Sequence, residues 1–282
     1  MHEETKEYTV YRSYKDRVFR MLFKEKERLL ELYNALNDSN YTNEDDLQIT
    51  TLENAIYMKA KNDVSFMIVS NLYLYEHQSS YCPNMPLRGF LYFADMYKKQ
   101  LKDVELSCNK RIMIPTPQYI VFYNGTERDA DRFTQKLSDS FESGDEGCIE
   151  LIVTSININV GHNQNLLDRS PTLYGYSYFV SLIRENIEKH RMELGEAVEK
   201  AIDECISRDI LKDFLTEQRA EVIAMSIYEY NEENARISNF EAGEERLNQL
   251  NILLTENNRT EDMLRAMRDK EYRKQLYAEF GL

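Results

Sequence analysis

The sequence is poor in cysteine, in long apolar runs and in net positive charge, and each shortage removes a class of function. Its four cysteines, at 82, 108, 148 and 205, are spaced too widely and irregularly for zinc knuckles, and a chain of 282 residues needs no disulfide staples. The four histidines, His2, His77, His162 and His190, show neither HxxxH nor HxH spacing, which argues against a zinc enzyme. No stretch approaches the roughly 18 consecutive apolar residues of a membrane span, and the opening MHEETKEYTV has no apolar signal region. The expectation is a cytoplasmic protein without a membrane segment. Net charge is −14, which weighs against nucleic-acid binding, because phosphate contacts rest on Lys and Arg. The acidity is uneven, however: residues 1–125 carry 16 basic and 17 acidic side chains, whereas residues 126–282 carry 19 and 32.

What is present reads as a helix, strands, a helix, two strands and then helices only. Residues 14–37 repeat apolar side chains at Val18, Met21, Leu22, Leu29, Leu32 and Leu36, the period of one amphipathic helix. Ile56–Tyr57–Met58 suggests a strand. DVSFMIV at 63–69 and LYLYEHQS at 72–79 alternate and are rich in β-branched and aromatic residues, predicting a hairpin about a Ser70–Asn71 turn. Asn84 and Pro86 suit the start of a helix with Leu87, Phe90, Leu91, Ala94, Tyr97 and Leu101 on its apolar face. QYIVFYNG, after Pro115 and Pro117, and CIELIVTSININV are further strands, the first closed by an Asn124–Gly125 turn. From Leu173 onward the pattern is helical, with a break expected at Ser207. This order predicts an α/β core over residues 1–190 and a helical C-terminal region over 191–282, with the boundary between 185 and 196.

The hairpin carries the candidate chemistry. A two-residue turn at Ser70–Asn71 sets Ser65 opposite Glu76 and Asp63 opposite Gln78. Strand alternation puts Glu76 and Gln78 on one face, so Asp63, Glu76 and Gln78 form a polar cluster at the open end of an apolar hairpin. Two carboxylates at a sheet end suit a hard divalent cation, with the backbone carbonyl of His77 as a further ligand and water completing the shell. Such an ion lowers the pKa of bound water and offsets charge on a phosphodiester. On spacing alone, the plainer reading is preferred, in which Asp63 starts a strand after a turn and Glu76 is a solvated sheet residue.

Longer strings add to this. KNDVSFMIVSNLYLYEHQSSYCPNMPLRGFLYFADMY, PQYIVFYNG and ININVGHNQNLL together resemble the PD-(D/E)XK nuclease family of transposase-like, recombination-promoting proteins, over roughly residues 14–185. The resemblance implies a restriction-endonuclease-like mixed sheet flanked by helices, dependence on Mg²⁺ (or Mn²⁺), and cleavage of double-stranded DNA linked to recombination. It aligns the family's two acids with Asp63 and Glu76, and its third position, usually lysine across the superfamily, with Gln78. Glutamine neither carries charge nor takes up a proton at neutral pH, so it orients water or phosphate and does not act as a base.

Other residues receive lesser roles. Arg88 and Tyr92, four apart on the helix after the hairpin and off its apolar face, are candidate DNA-phosphate contacts, against the plainer reading of a solvated charge. Asp16, at the start of the first helix, is a dipole partner before it is an outer member of a metal site. His77 is expected to point away from Glu76 and to be packed or hydrogen-bonded, and His162, Asn124 and Gly125 to serve loop structure. The acidic C-terminal helices suit self-association into a homodimer or regulation. The rival reading is a catalytically inactive nuclease-fold module that binds DNA or protein.

Overall fold

The computed structural model describes residues 13–50, 63–107, 109–143, 147–226 and 246–282, apart from 256 and 258. The suggested strand at Ile56–Met58 lies outside them. Contacts divide the chain into two compact units, Met1–Ile227 and Tyr228–Leu282. The boundary anticipated near residue 190 is thereby displaced. Helix α6 (Leu194–Ser207) buries Ala197, Val198, Ala201 and Ile202 and packs along α5 (Pro171–Glu188), so these helices belong to the α/β unit.

The first unit is built on a six-stranded mixed sheet in the order β1-β2-β3-β4-β6-β5. β1 (Leu47–Ile49), β2 (Val64–Ile68) and β3 (Asn71–Gln78) are antiparallel. β3, β4 (Thr116–Tyr123) and β6 (Ile152–Asn157) run parallel, and β5 (Arg132–Lys136), which the sequence reading missed, closes the edge antiparallel to β6. Helix α3 (Met85–Gln100) is the crossover between β3 and β4 and covers one face, sharing a core of Leu72, Leu74, Met85, Tyr92, Phe93, Met96, Tyr119, Val121 and Val153. The opposite face is aromatic. Phe19 on α1 (Ser13–Phe23) packs on Phe122, and Tyr33 on α2 (Lys26–Asn37) packs edge-on to Phe66 and Tyr73. α4 (Gln164–Arg169) and α5 complete that layer. The result is an α/β sandwich with the sheet between two helical layers.

Three sequence expectations change. The single helix over 14–37 is two helices, because Glu25 takes an extended conformation (φ −75°, ψ 125°) that ends α1 and starts α2. The hairpin turn is Val69–Ser70, not Ser70–Asn71: Ile68 pairs with Asn71, and Val69 sits at φ 54°. The parallel neighbour explains the shift, since Asn71 is drawn into β3 opposite Thr116, whose N–H bonds the Ser70 carbonyl at 2.9 Å. The buried face of α3 runs through Met85, Gly89, Tyr92, Phe93 and Met96, leaving Leu87 and Leu91 exposed. The contact line follows Gly89, where an added Cβ would meet the Tyr119 ring at 2.3 Å; only a residue without a side chain lets the helix come so close.

The break expected at Ser207 is present: α6 ends there, and α7 (Lys212–Glu217) follows. In the second unit, helical residues 246–255, α8 (Thr260–Arg268) and α9 (Lys270–Phe280) share a small core of Leu250, Leu254, Ala266 and Leu276. Among the described residues no helix is long and apolar enough to cross a membrane.

Candidate functional site

The corrected register brings the two acids closer than the sequence reading had them. Val64 lies opposite Tyr75, the last pair of the ladder, and Ser65 faces Leu74, so Asp63, one residue before β2, comes next to Glu76. The slip is by two residues, so the face is preserved. Asp63, Glu76 and Gln78 still fall on the α3 side of the sheet, at the carboxyl end of β3.

Glu76 is only 1% exposed, and burial raises its pKa; the Arg88 guanidinium, with Nη2 at 3.0 Å from Oε2, opposes that rise. The ion pair falls short of hydrogen-bond geometry, so both carboxyl oxygens of Glu76 are buried with no hydrogen-bond donor, as are Arg88 Nε and the Tyr119 hydroxyl. Asp63 accepts the backbone N–H of His77 at 2.7 Å and lies 3.6 Å from Arg20 Nε. Its pKa is raised by burial first, then by the charges of Glu76 and Asp16, which outweigh the bond from His77 and the pull of Arg20.

His77 turns to the opposite face, as expected. A carboxylate only accepts, so its Nδ1–H donates to Asp16 Oδ1 at 2.6 Å, while Nε2 lies 2.8 Å from the buried Tyr176 hydroxyl. Its backbone faces the acids. Within a strand the N–H and C=O of one residue point to the same side, and the Gln78 carbonyl is taken on the β4 side by Asn124 N–H. The His77 carbonyl is thereby on the β2 side of the strand, as is its N–H.

Asp63, His77 and Arg88, though not the buried Glu76 itself, line a cleft of about 600 Å³ together with Asp16, Arg20, Gln78, Ser80, Tyr81, Cys82 and Pro83. It lies beyond the carboxyl end of β3, the position where open α/β sheets take ligands. No protein-family model, no curated protein and no solved structure matches the chain. The residues therefore have to carry the functional reading by themselves.

Two expected contacts are corrected or redefined. Tyr92 is fully buried in the α3–sheet core and cannot meet DNA; its hydroxyl accepts from Arg88 Nη2 at 3.4 Å. Arg88 is not a loose surface cation either, being held between Tyr92 and Glu76 inside the cleft. Asp16 and Arg20, one helical turn apart on α1, also line the cleft, and of these only Asp16 is a candidate from the sequence. Their spacing is legible, but that this edge of α1 overhangs the end of β3 is not. His162 is a loop residue as expected, bonded through Nδ1 to Asp131 at 2.8 Å, and Asn124 and Gly125 join Asn159 in the loop after β4.

Among the described residues no three Asp, Glu, His or Cys side chains are grouped to hold a metal ion. The acid pair nevertheless has the right chemistry for a hard cation: two buried Glu76 oxygens without a hydrogen bond, one of them ion-paired to Arg88, and a second carboxylate beside them. Water supplies the remaining ligands in sites of this kind.

Proposed function

We propose that the chain is a metal-dependent endodeoxyribonuclease on a restriction-endonuclease-like core, hydrolysing phosphodiester bonds of double-stranded DNA in recombination. The observation that carries the proposal is the pair of neighbouring acids, Asp63 lining an open cleft and Glu76 buried behind it with neither carboxyl oxygen hydrogen-bonded. A native protein rarely leaves a buried carboxylate so poorly satisfied without a ligand in view. Asp63, Glu76 and the His77 carbonyl would hold Mg²⁺ or Mn²⁺, which supplies an acidified water and charge neutralisation when bound.

The chain's own residues supply the rest. Gln78 lines the cleft with a neutral amide that orients a water or a phosphate oxygen. Arg88 and Arg20 set two guanidinium groups beside the acids, where a phosphodiester brings negative charge into a chain that is otherwise acidic. The His77 bridge to Asp16 and Tyr176 fixes the strand end to α1 and α5, so the carbonyl and the acids keep their relative positions. A cytoplasmic homodimer joined through the C-terminal helices would let two such sites address both strands.

A second reading has one observation behind it. Arg88 already neutralises Glu76 without any metal, as in a nuclease fold that binds DNA or protein and no longer cuts. Plasmid nicking in Mg²⁺ separates the two. The nuclease reading expects wild-type cleavage that Glu76→Ala abolishes, with Mg²⁺ or Mn²⁺ raising the melting temperature of wild type more than that of Asp63→Asn. No cleavage by either protein, with DNA retained in a mobility shift, establishes the binder.

A further inference from the structure

At the rim of the cleft stands a stack that neither the acids nor the fold requires. Tyr81 lines the cleft three residues past the end of β3, and the Arg128 guanidinium lies over its ring, 4.2 Å from the centroid. Phe133 on β5 flanks both, 6.1 Å from Tyr81 and 5.9 Å from Arg128, and packs edge-on against Tyr123. The arrangement is held rather than draped. The backbone N–H groups of Glu127 and Arg128 both donate to the Tyr123 hydroxyl, at 3.0 and 3.2 Å, and the Tyr81 N–H donates to the Glu127 carboxylate. Asn157 Nδ2 donates to the Arg128 carbonyl at 3.3 Å. Four hydrogen bonds thus fix the backbone from which a half-exposed aromatic ring and an exposed guanidinium meet face to face.

A surface cation–π pair contributes little stability by itself, about 0.5–1 kcal/mol, and does not call for such a scaffold. Among the described residues Arg128 forms no carboxylate ion pair, although acidic side chains crowd the loop. Its charge therefore remains available to an anion. A planar π face, a planar guanidinium and an unspent positive charge beside a cleft that holds both carboxylates and guanidinium groups match one ligand chemistry, that of a nucleotide whose base is unstacked from its neighbours.

We infer that the Tyr81–Arg128–Phe133 stack is a nucleobase-binding site, which takes an unpaired base of the strand whose phosphodiester lies in the cleft. The inference rests on the nuclease reading for the position of that phosphodiester, and it narrows the substrate to DNA with a single-stranded end or an extruded base. A paired base inside B-form DNA cannot present its face to a side chain.

The test is binding, so it does not depend on cleavage. A fluorescein-labelled oligo(dT) strand, a strand of the same length made of abasic residues, and a blunt duplex are titrated with the full chain in EDTA, and anisotropy is recorded. Wild type should prefer oligo(dT). Tyr81→Ala and Tyr81→Leu, the latter keeping apolar packing on Phe133, should both weaken oligo(dT) binding by about 5- to 150-fold, the range for loss of one base–aromatic stack. Tyr81→Phe should bind like wild type, and the abasic strand and the duplex should not distinguish the variants. Equal oligo(dT) affinity of wild type and both truncating variants overturns the site, as does an equal loss on the abasic strand. Should Tyr81 govern oligo(dT) binding while Mg²⁺ elicits no nicking, the nuclease reading falls and the base site stands. Nicking that needs Glu76 with oligo(dT) affinity indifferent to Tyr81 has the opposite meaning.

Discussion

Replacing Arg88 with methionine tests whether Glu76 is a buried charge held by one counter-charge. Burial pushes the Glu76 carboxyl up from an ordinary 4.5 to about 7, even with the guanidinium opposing that rise. The native state then keeps a proton that the unfolded chain releases above pH 4.5. Stability contributed by this site is therefore full at and below pH 4.5 and falls as pH rises to about 7, by about 1.4 kcal/mol per unit, or on the order of 3 kcal/mol in all. Above pH 7 the wild-type carboxylate is ionised in both states and the decline stops.

Without Arg88 the opposing charge is gone, so the folded carboxyl titrates higher still and the decline continues past pH 7. The difference between variant and wild type should be small and flat at pH 5–6.5, reflecting only the lost packing of the arginine stem, since Arg88 is 26% exposed at its side chain. It should then open by up to about 1.4 kcal/mol per unit, approaching 3 kcal/mol at pH 9, in line with the usual cost of stranding one partner of a buried pair. Asp63, raised in the same direction, is present in both proteins and drops out to first order. Urea unfolding followed by circular dichroism in EDTA, at half-unit steps from pH 5 to 9, measures the difference directly. Repeating it in a Glu76→Gln background should remove the pH dependence. A gap that stays constant from pH 5 to 9, or one that persists unchanged when Glu76 is glutamine, refutes the coupling.

Two further substitutions probe the scaffold. Val69 is a β-branched residue at φ 54°, where Asn is tolerated far better, so Val69→Asn should raise stability by about 1 kcal/mol in thermal unfolding; a loss would mean that the turn is not left-handed there. Gly89→Ala places a methyl group against the Tyr119 ring at 2.3 Å and should cost about 1–3 kcal/mol by denaturant unfolding, and a neutral outcome would show that α3 does not pack so closely on β4.

What the sequence made legible here follows from how local each rule is. Period-two alternation at 63–78 and the aromatic content of β3 announce the hairpin, and the face shared by Asp63, Glu76 and Gln78 depends only on parity. The difference between a Ser70–Asn71 and a Val69–Ser70 turn shifts the pairing by two, which leaves the shared face of the acids unchanged. A slip of one would have turned the acids to opposite faces. The turn itself was not legible, because Asn71 is better suited than Val69 to a left-handed backbone and only β4, more than 40 residues on, draws it into the strand.

The same distinction explains the helix. Leucines at 87 and 91 outbid a glycine in any count of hydrophobicity, yet the contact line runs through Gly89, because helix-to-sheet distance is set by the smallest residue that must pass over Tyr119. Once α3 is rotated by that constraint, Tyr92 is carried into the core and Arg88 into the cleft, where it meets Glu76 at 3.0 Å. A glycine thus decides which cation faces the acids. Any reading of this site that begins from charges alone will miss that their pairing is a consequence of packing one turn away.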